Sequence, residues 1–297
     1  MIKTTDVLTL GEILVDFVPE GRGYVLRPGG APSNVAVNLS RMGISSGVMG
    51  KLGNDFLGDF MASFLKKNRV NVSCVTRTDK GKTGLVFVFI NKYKDRDFSF
   101  YGEPSADKYL APADINEAAI KNCSVLHFGS ISMMGKMSAL ATQKALRLAK
   151  KHGKVISFDP NLRLNLWEGR ARQAKENIRG LFNYADIIKI SDVELEFLFG
   201  AKPGSAKLGK IFGKRMVLVS AGAKGCYVYY RGFFRHVPGF KAKVVDSTGA
   251  GDAFMTGVLA GVIRRNKALD LSNDELVKIA VLANKKGSEA VTKKGAV

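Results

Sequence analysis

The stretch DSTGAGDAFMTGVL, residues 246–259, shapes the interpretation of the whole chain. Gly249, Ala250 and Gly251 stand directly before an acid, Asp252, and the apolar run that follows predicts a buried helix. Because the three small residues leave the backbone nearly bare, free N–H groups at the helix start can hold an anion. A plain helix cap is the competing interpretation, since Asp is a favoured N-cap residue. The stretch by itself leaves both open.

The pattern around this stretch predicts a doubly wound α/β fold. Short β-branched runs such as SVLHFGSIS, KVISFDPN and DIIKIS alternate with amphipathic helical segments, which is typical of a mostly parallel sheet covered on both faces. Ligands of such sheets bind at the carboxyl ends of the strands, next to helix N-termini. The loops RPGGAPSN, DPNLR and DSTGAGD all fall at strand-to-helix junctions, and this convergence favours a ligand site over a simple cap.

One segment breaks the alternation. TGLVFVFINKYKDRDFSFY, residues 83–101, predicts a β-hairpin with charge at its turn and no helix between its arms. We interpret residues 84–102, together with about 16–28, as a small β-sheet lid inserted into a single domain of residues 1–297. The apolar residues Val86, Val88 and Ile90 alternate along the hairpin and can face either a partner subunit or the protomer's own site.

Composition narrows the class of protein. The 297 residues are 46% hydrophobic, the three Cys are far apart, and neither a signal peptide nor a membrane-spanning run is present, so we expect a soluble protein of the cytoplasm. The net charge of +20 is spread along the chain in short clusters without interleaved aromatics. That pattern favours a solvated basic surface over nucleic-acid binding, and it would attract an anionic substrate.

Several familiar motifs fail in context. GSAKLGKI, residues 204–211, has P-loop spacing, but Ile211 stands where magnesium needs a hydroxyl. GISSG, residues 43–47, runs from helix to strand, the reverse of a nucleophile elbow. GAGDAF lacks the third glycine of a dinucleotide loop, and the three histidines are isolated, so neither a nicotinamide site nor a histidine metal site is expected.

Two motifs remain. PGGAPSNVAVNLSRMG, residues 28–43, and DSTGAGDAFMTGVL together resemble the two signatures of the ribokinase-like sugar kinases, the phosphofructokinase B family. Segments such as GEILVDFVP, FYGEPSAD, FDPNLRLNLW and VLVSAGAKGCYVYY resemble the fructokinase branch in particular. The resemblance covers nearly the whole chain and implies a ribokinase-like fold with a mostly parallel central sheet, flanking helices and a small β-sheet lid.

The resemblance also implies catalytic and sugar-binding roles. Asp252 is then the general base, which takes a proton from a sugar hydroxyl as that hydroxyl attacks the γ-phosphorus of ATP. The backbone N–H groups of Gly249, Ala250, Gly251 and Asp252 form an anion hole for the transferring phosphoryl group. The positions implied for the sugar are Asp16, Gly30, Asn34 and Arg163, with Tyr101 of the lid covering it.

Nucleotide and cation sites follow from the same resemblance. The nucleotide positions are Lys189, Ser191, Glu194, Ser220, Gly222, Gly225 and Asn284. Mg²⁺ is expected with the ATP, reached from Glu194 through water. A monovalent cation such as K⁺ would use Asp246, the Thr248 carbonyl and carbonyls near Gly295. The chain stops at TKKGAV, which puts potassium dependence in doubt.

These expectations lead to an ATP-dependent ketohexose kinase that converts fructose to fructose 6-phosphate. Alternatives within the family are a 2-keto-3-deoxygluconate kinase, a ribokinase or a nucleoside kinase, and the alternative outside catalysis is a sugar-binding regulator. Gly102 stands where fructokinase-like and ketodeoxygluconate-kinase-like members often carry Arg after the lid tyrosine. That arginine would help to hold a carboxylate or a distal hydroxyl, so its absence argues against an acidic sugar and weakens the assignment of one particular sugar. The partners expected are a small sugar and ATP, without nucleic acid or membrane, and with a possible homodimer formed through the lid.

Overall fold

The computed structural model describes residues 5–90, 96–163, 169, 171–265 and 269–297. Its main sheet has nine strands in the order β13-β12-β11-β10-β9-β8-β1-β4-β5. The bounds are β1 Thr5–Leu10, β4 Ser46–Gly53, β5 Asn71–Thr78, β8 Cys123–Phe128, β9 Val155–Phe158, β10 Ile187–Ser191, β11 Met216–Ser220, β12 Cys226–Tyr230 and β13 Phe233–Val237. All neighbouring pairs from β11 to β5 are parallel, and β12 and β13 add antiparallel strands at one edge.

A second sheet of four strands lies apart from the first, in the order β3-β2-β6-β7. Its strands are β2 Leu14–Glu20, β3 Gly23–Gly29, β6 Gly84–Ile90 and β7 Arg96–Tyr101. β2 and β6 are parallel, whereas each outer pair is antiparallel. The hairpin expected from the sequence is the β6–β7 pair, and its turn, residues 91–95, lies outside the described residues. We call these four strands the lid sheet.

The helices cover both faces of the main sheet. Their bounds are α1 Ala31–Arg41, α2 Phe56–Lys67, α3 Glu117–Lys121, α4 Lys136–Lys151, α5 Ala171–Leu181, α6 Asp192–Phe199, α7 Ser205–Phe212, α8 Ala250–Ile263 and α9 Asn273–Ala290. One large core unites the sheet with α4 to α7, and a second unites it with α1, α8 and α9. α8 is buried from residue 252 to residue 263, as its unbroken apolar run predicts.

The order of the strands sets the place where a ligand can bind. The chain adds β4 and β5 on one side of β1 and β8 to β11 on the other, so the winding direction reverses at β1. In doubly wound sheets this reversal opens a crevice at the carboxyl ends of the strands. The loops after β1, β9 and β10 and the start of α8 meet there, and the lid sheet borders the same crevice.

The predicted fold class is confirmed: a mostly parallel sheet, helices on both faces and a separate small sheet. The β-branched segment DVLTLGEIL, residues 6–14, whose pattern predicts one strand, is divided in the structure: β1 ends at Leu10 and β2 begins at Leu14. The division matters for the site, since residues 11–13 form the loop at the reversal point. The interpretation of the chain as one domain that carries the lid as an insertion stays a prediction.

Candidate active site

A cavity of about 640 Å³ lies at the reversal point, between the main sheet and the lid sheet. Its lining combines loops after four strands of the main sheet, the start of α1, the start of α8 and the inner face of β6 and β7. The sequence-predicted residues among those that line it are Asp16, Gly30, Asn34, Arg163, Lys189, Ser191, Glu194, Thr248, Gly249, Gly251 and Asp252. The fold therefore brings together residues that are up to 236 positions apart in the chain (252 minus 16).

Asp252 is the buried acid at the centre of this cavity. It sits in the first turn of α8, only 7% exposed, and its Oδ2 accepts a 2.8 Å hydrogen bond from Nδ2 of Asn34 in α1. Nδ2 of Asn161 lies 3.5 Å from the other oxygen, Oδ1. Burial raises the pKa of Asp252, and the Asn34 hydrogen bond opposes that rise by stabilising the carboxylate. A carboxylate with a raised pKa is a stronger base.

Asn34 presents a second polar atom that the protein leaves unpaired. Its side chain is 5% exposed, and no hydrogen-bond partner for Oδ1 is found among the described residues. A buried amide oxygen without a partner is costly, at about 1–3 kcal/mol, unless a ligand or water supplies a donor. Because Asn34 lines the cavity, this oxygen is a ready acceptor for a ligand hydroxyl.

The start of α8 supplies backbone donors next to Asp252. Gly249 is the N-cap with φ 75°, and no side chain caps the helix. Ala250 N already donates to Ser247 O at 3.3 Å, whereas the N–H groups of Gly251 and Asp252 have no backbone partner within residues 5–90, 96–163, 171–265 and 269–297. Of the four N–H groups that the sequence predicts as anion donors, residues 249–252, the one at Ala250 is therefore already engaged, because it closes the turn before the helix with Ser247 O.

Lys189 places a positive charge beside these donors. Its ammonium is 6% exposed, forms an ion pair with Asp159 at 3.0 Å, and lies 3.2 Å from the point where a Cβ on Gly251 would be. Burial alone would lower the pKa of Lys189, but the carboxylates of Asp159 and Glu194 outweigh it and raise the pKa. We conclude that Lys189 is a cation within the cavity wall.

Glu194 is engaged by backbone and side-chain donors. It closes a capping box at the start of α6 with Ser191, and its Oε1 accepts a 2.7 Å hydrogen bond from Leu162 N. Burial would raise its pKa, but Lys189 and these donors lower it. The described residues contain no group of three or more His, Cys, Asp or Glu side chains that could hold a metal by themselves.

The far end of the cavity is acidic. Asp16 of β2 and Glu12 of the β1–β2 loop both line it, at 9% and 3% exposure. Gly30 precedes α1 with φ 94°, and a Cβ there would collide with the Glu12 carbonyl oxygen. Only glycine lets the backbone pass this closely at that φ. The arrangement suits a neutral polyhydroxylated ligand.

The lid contributes aromatic side chains, but not the predicted one. Phe98 and Phe100 line the cavity, and the Arg163 guanidinium stacks over the Phe98 ring at 5.5 Å. Tyr101 does not line it: the side chain is 63% exposed and contacts Phe87 on the outer face of the lid sheet. Successive side chains of a strand point to opposite faces, so Tyr101 lies opposite the face that Phe100 presents to the cavity.

The remaining predicted nucleotide residues, Ser220, Gly222, Gly225 and Asn284, do not line the cavity. Ser220 ends β11, Gly222 and Gly225 lie in the loop between β11 and β12 with φ of 55° and 95°, and Asn284 lies in α9. Asn284 is 6% exposed, and its Nδ2 donates to the carbonyl oxygens of Val237 and Pro238 at 3.0 Å. In the structure the Asn284 amide therefore fastens the end of β13 to helix α9.

The predicted monovalent-cation residues are joined by hydrogen bonds. Asp246 is 3% exposed, and its carboxylate accepts from Thr248 N and Gly295 N, each at 2.8 Å. This carboxylate links the loop before α8 to the C-terminal segment. Thr248 lines the cavity, whereas Asp246 and Gly295 do not.

Sequence reasoning missed Glu12, Asn161, Asp159, Phe98 and Phe100. For Asn161 and Asp159 a signal was available, since DPNLR is a strand-to-helix loop, yet Arg163 is the one residue of it that the sequence analysis places in the site. For Phe98 and Phe100, the sequence predicts the neighbouring aromatic residue, Tyr101, instead. For Glu12 no local signal exists, because its capping contact with Ala31 and its proximity to Asp107 join separate parts of the chain.

A buried base beside free helix-start donors, above the carboxyl ends of a doubly wound sheet, defines a phosphotransferase type of site for a small polar acceptor. The chain belongs to the pfkB family of carbohydrate kinases: residues 4–297 match the family described as pfkB family carbohydrate kinase. It is 38% identical over 302 residues to fructokinase-2 of Solanum lycopersicum, covering 98% of this chain and 92% of the relative.

Solved structures agree with this assignment. Fructokinase from Vibrio cholerae O395, bound to fructose, ADP and a calcium ion, superposes with a TM-score of 0.89 at 34% identity, over 99% of this chain and 94% of that one. Aminoimidazole riboside kinase from Salmonella enterica superposes with a TM-score of 0.85 at 30% identity, over 98% and 94% of the two chains. No described helix combines the length and the hydropathy that crossing a bilayer requires.

Proposed function

We propose that this protein transfers the γ-phosphoryl group of ATP to a hydroxyl of fructose, giving fructose 6-phosphate. The observation that carries the proposal is the Asn34–Asp252 pair, a buried base held at 2.8 Å by an amide whose own oxygen is left for a ligand in the cavity. The relatives named as fructokinases extend over the whole chain and support the sugar.

Asp252 acts as the general base in this proposal. Its Oδ1 is the oxygen without a close protein donor, since Asn34 holds Oδ2 at 2.8 Å and Asn161 stands 3.5 Å from Oδ1. Oδ1 takes the proton of the 6-hydroxyl as that oxygen attacks phosphorus. The Asn34 amide fixes the carboxylate plane and meets a further hydroxyl through its own oxygen.

The charge on the transferring group is met at the start of α8. The N–H groups of Gly251 and Asp252 donate to the equatorial phosphoryl oxygens, and Lys189 adds a buried positive charge on the same side. Ser191, at the N-cap of α6, and Arg163, above Phe98, also line the cavity and would approach the phosphates. Preorganised donors of this kind need no rearrangement when the charge develops.

The acidic end of the cavity supports a neutral sugar over an acidic one. Glu12 and Asp16 both line that end, and both would repel the carboxylate of 2-keto-3-deoxygluconate. Gly102 follows the lid strand β7 and provides no cation there. Asp16 accepts hydrogen bonds from sugar hydroxyls, and the Gly30 backbone lies directly beneath them.

Mg²⁺ and K⁺ fit the residues present. Mg²⁺ would accompany ATP as a Lewis acid that neutralises the phosphate oxygens, with Glu194 reaching it through water, since three protein donors already occupy its oxygens. K⁺ would lie at Asp246 and the Thr248 carbonyl, because a carboxylate and a carbonyl two residues apart in one loop supply the oxygen ligands that hard cations prefer.

The test is ADP release with Mg-ATP, measured with fructose, 2-keto-3-deoxygluconate, ribose, glucose and adenosine, in KCl and in NaCl. We expect fructose to give the highest kcat/KM. Asp252→Asn should lower kcat by about 10²–10⁴-fold, because the base is lost while the side chain keeps its shape. Near-normal turnover by Asp252→Asn would show that Asp252 is not the general base. If only another sugar is turned over, that sugar and not fructose is the substrate. Equal rates in KCl and NaCl would contradict a K⁺ requirement.

We also propose a homodimer formed through the lid. Val86 is buried and lines the protomer's own cavity, and Val88 is 1% exposed, so neither valine is available to a partner. The outer face of the lid sheet is different: Phe87 contacts Phe17, Tyr24 and Tyr101 within ring-centroid distances of 5.2 to 5.5 Å. This outer aromatic cluster, with Tyr24 49% and Tyr101 63% exposed, is the surface that a second copy would cover.

A further inference from the structure

Glu12 is a buried carboxyl group on the wall of the cavity that no part of the proposed chemistry uses. It lies in the loop after β1, at the point where the winding of the sheet reverses, and it is 3% exposed. It forms no ion pair with the part of the chain that the structure describes. A charged group so placed is costly unless a specific contact uses it.

The contacts of Glu12 are concentrated on the first turn of α1. Its Oε1 accepts a 3.1 Å hydrogen bond from Ala31 N, and its backbone carbonyl accepts one from Ser33 Oγ at 3.4 Å. Gly30, the N-cap of α1, has no side chain to perform this task. The carboxylate of Glu12 therefore caps the helix from the loop between β1 and β2, and its negative charge interacts favourably with the positive end of the helix dipole.

This turn carries the residues that meet the sugar in the proposed function. Gly30 is packed against the Glu12 carbonyl, and Asn34, one turn further on, bonds back to Gly30 and reaches Asp252 with its side chain. We propose that Glu12 is a positioning residue for the sugar: by fastening the first turn of α1 it fixes the Gly30 backbone and the Asn34 amide in the sugar-binding geometry. The inference rests on the proposed kinase function.

The surroundings of Glu12 bring the pKa of its carboxyl group close to neutral pH, so the group gains or loses its charge there. Burial, and then the nearby Asp107 carboxylate, raise the pKa of Glu12 to about 7, whereas the N–H of Glu12 itself, then Lys108 and the Ala31 N–H, oppose that rise. The positive charge of Lys108 acts on both Glu12 and Asp107, because its ammonium donates a 2.7 Å hydrogen bond to Asp107. Two further elements pack near Glu12. The first turn of α1 contains no acidic residue, and β2 contributes Asp16, which lines the same end of the cavity.

The direction of the pH effect follows from the contact. Above about pH 7 the carboxylate is charged and holds Ala31 N–H strongly. Below that pH it gains a proton and becomes a weaker acceptor, since hydrogen bonds to charged groups are roughly twice as strong as neutral ones. The KM for the sugar should therefore rise as pH falls through about 7, whereas a change at Asp252 acts on kcat.

The experiment compares the parent with Glu12→Gln, which keeps the shape and one acceptor but has no charge to lose. KM and kcat are measured from pH 6 to pH 8.5 with whichever sugar the parent phosphorylates best, so a wrong sugar leaves the test intact. At pH 8 we expect the KM of Glu12→Gln to be about fivefold above the parent, the gap to close near pH 6, and kcat to change less than about twofold. The matched control is Glu275→Gln, which removes the capping carboxylate of α9.

Three results would overturn the inference. They are an unchanged KM at pH 8, a KM gap that is the same at pH 6 and pH 8, and a fall in kcat without a rise in KM. If Glu12→Gln lowers the thermal midpoint more than Glu275→Gln does, the pH dependence of KM in the parent alone decides the question: a flat profile across pH 7 refutes the positioning role. If the parent phosphorylates no sugar, the proposed function fails, and this inference fails with it.

Discussion

In the proposed function Asn34 of α1 contacts both the base, Asp252, and the sugar, so a single substitution there should affect two separate measurements. Asn34→Ala removes the hydrogen bond that opposes the raised pKa of Asp252, and that pKa should rise further. The base works only when it is deprotonated. The acid limb of the kcat profile should therefore move to higher pH in the variant, because activity is lost as pH falls through the pKa of Asp252.

The same substitution should raise the KM for the sugar by about 2- to 10-fold, since one polar contact is lost. Steady-state kinetics from pH 5 to pH 9 measures both effects. Asn54→Ala is the matched control, because it removes an exposed amide that bonds Asp79 away from the cavity. An acid limb that stays in place in Asn34→Ala would mean that Asp252 does not feel this hydrogen bond.

Single residues also mark the limit of what the sequence could predict. Asp252, Asn34 and Gly30 were accessible because each lies in a local pattern, a glycine pair or small-residue run at a helix start. Glu12 follows a strand and resembles any polar loop residue. Burial raises its pKa, and the carboxylate of Asp107, which the fold brings to it from beyond the lid hairpin, adds to that rise.

At the level of elements, α8 and α9 are packed so closely that glycine is required between them. A Cβ on Gly257 would lie 2.6 Å from Ala283 Cα and 3.0 Å from Ala283 N, both of them backbone atoms that cannot rotate away. Gly257→Ala should thus push α9 outward and lower the free energy of unfolding by about 1–3 kcal/mol. Urea unfolding measures the change.

Gly180→Ala provides the comparison for that helix pair. Gly180 lies in α5, and a Cβ there would meet nothing within 4 Å, so alanine should leave the free energy of unfolding unchanged or raise it by up to about 1 kcal/mol. If Gly257→Ala is as stable as Gly180→Ala, the contact between α8 and α9 is looser than described. Because Asp252 lies in the first turn of α8, a shift of this pair would also displace Asp252.

Elements differ in how well their sequences predict them. β8, β9 and β10 were identified because parallel strands buried on both faces form continuous apolar runs. The sequence predicts the lid hairpin, but not which face of it meets the cavity. It assigns Tyr101 to the cavity, whereas Phe100, one position earlier, and Phe98 line it. In a strand that is apolar on both faces, periodicity alone does not tell which face meets the cavity.

Across the whole molecule, the sequence predicted the class of fold but not the arrangement of its strands. Within the order β9-β8-β1-β4, the β8–β1 pair joins Thr5 to Cys123, which are 118 residues apart (123 minus 5), and no local pattern encodes such pairing. The site depends on that order, because the reversal at β1 is what places Glu12, Asp16 and Asn34 opposite Asp252. The resemblance to a family provided this long-range information, and the structure explains it.

The outer face of the lid gives the prediction that belongs to the assembled molecule. Light scattering should give twice the 32.2 kDa of one chain for the parent, because an exposed aromatic cluster of this kind is stabilised when a second copy covers it. Tyr24→Lys with Tyr101→Lys places charge in that cluster and should give the mass of one chain. Phe240→Lys is the control, since Phe240 is a 44% exposed aromatic outside the lid sheet and should leave the dimer intact. A parent with the mass of a single chain, or a dimer that persists in the double variant, would contradict the lid interface.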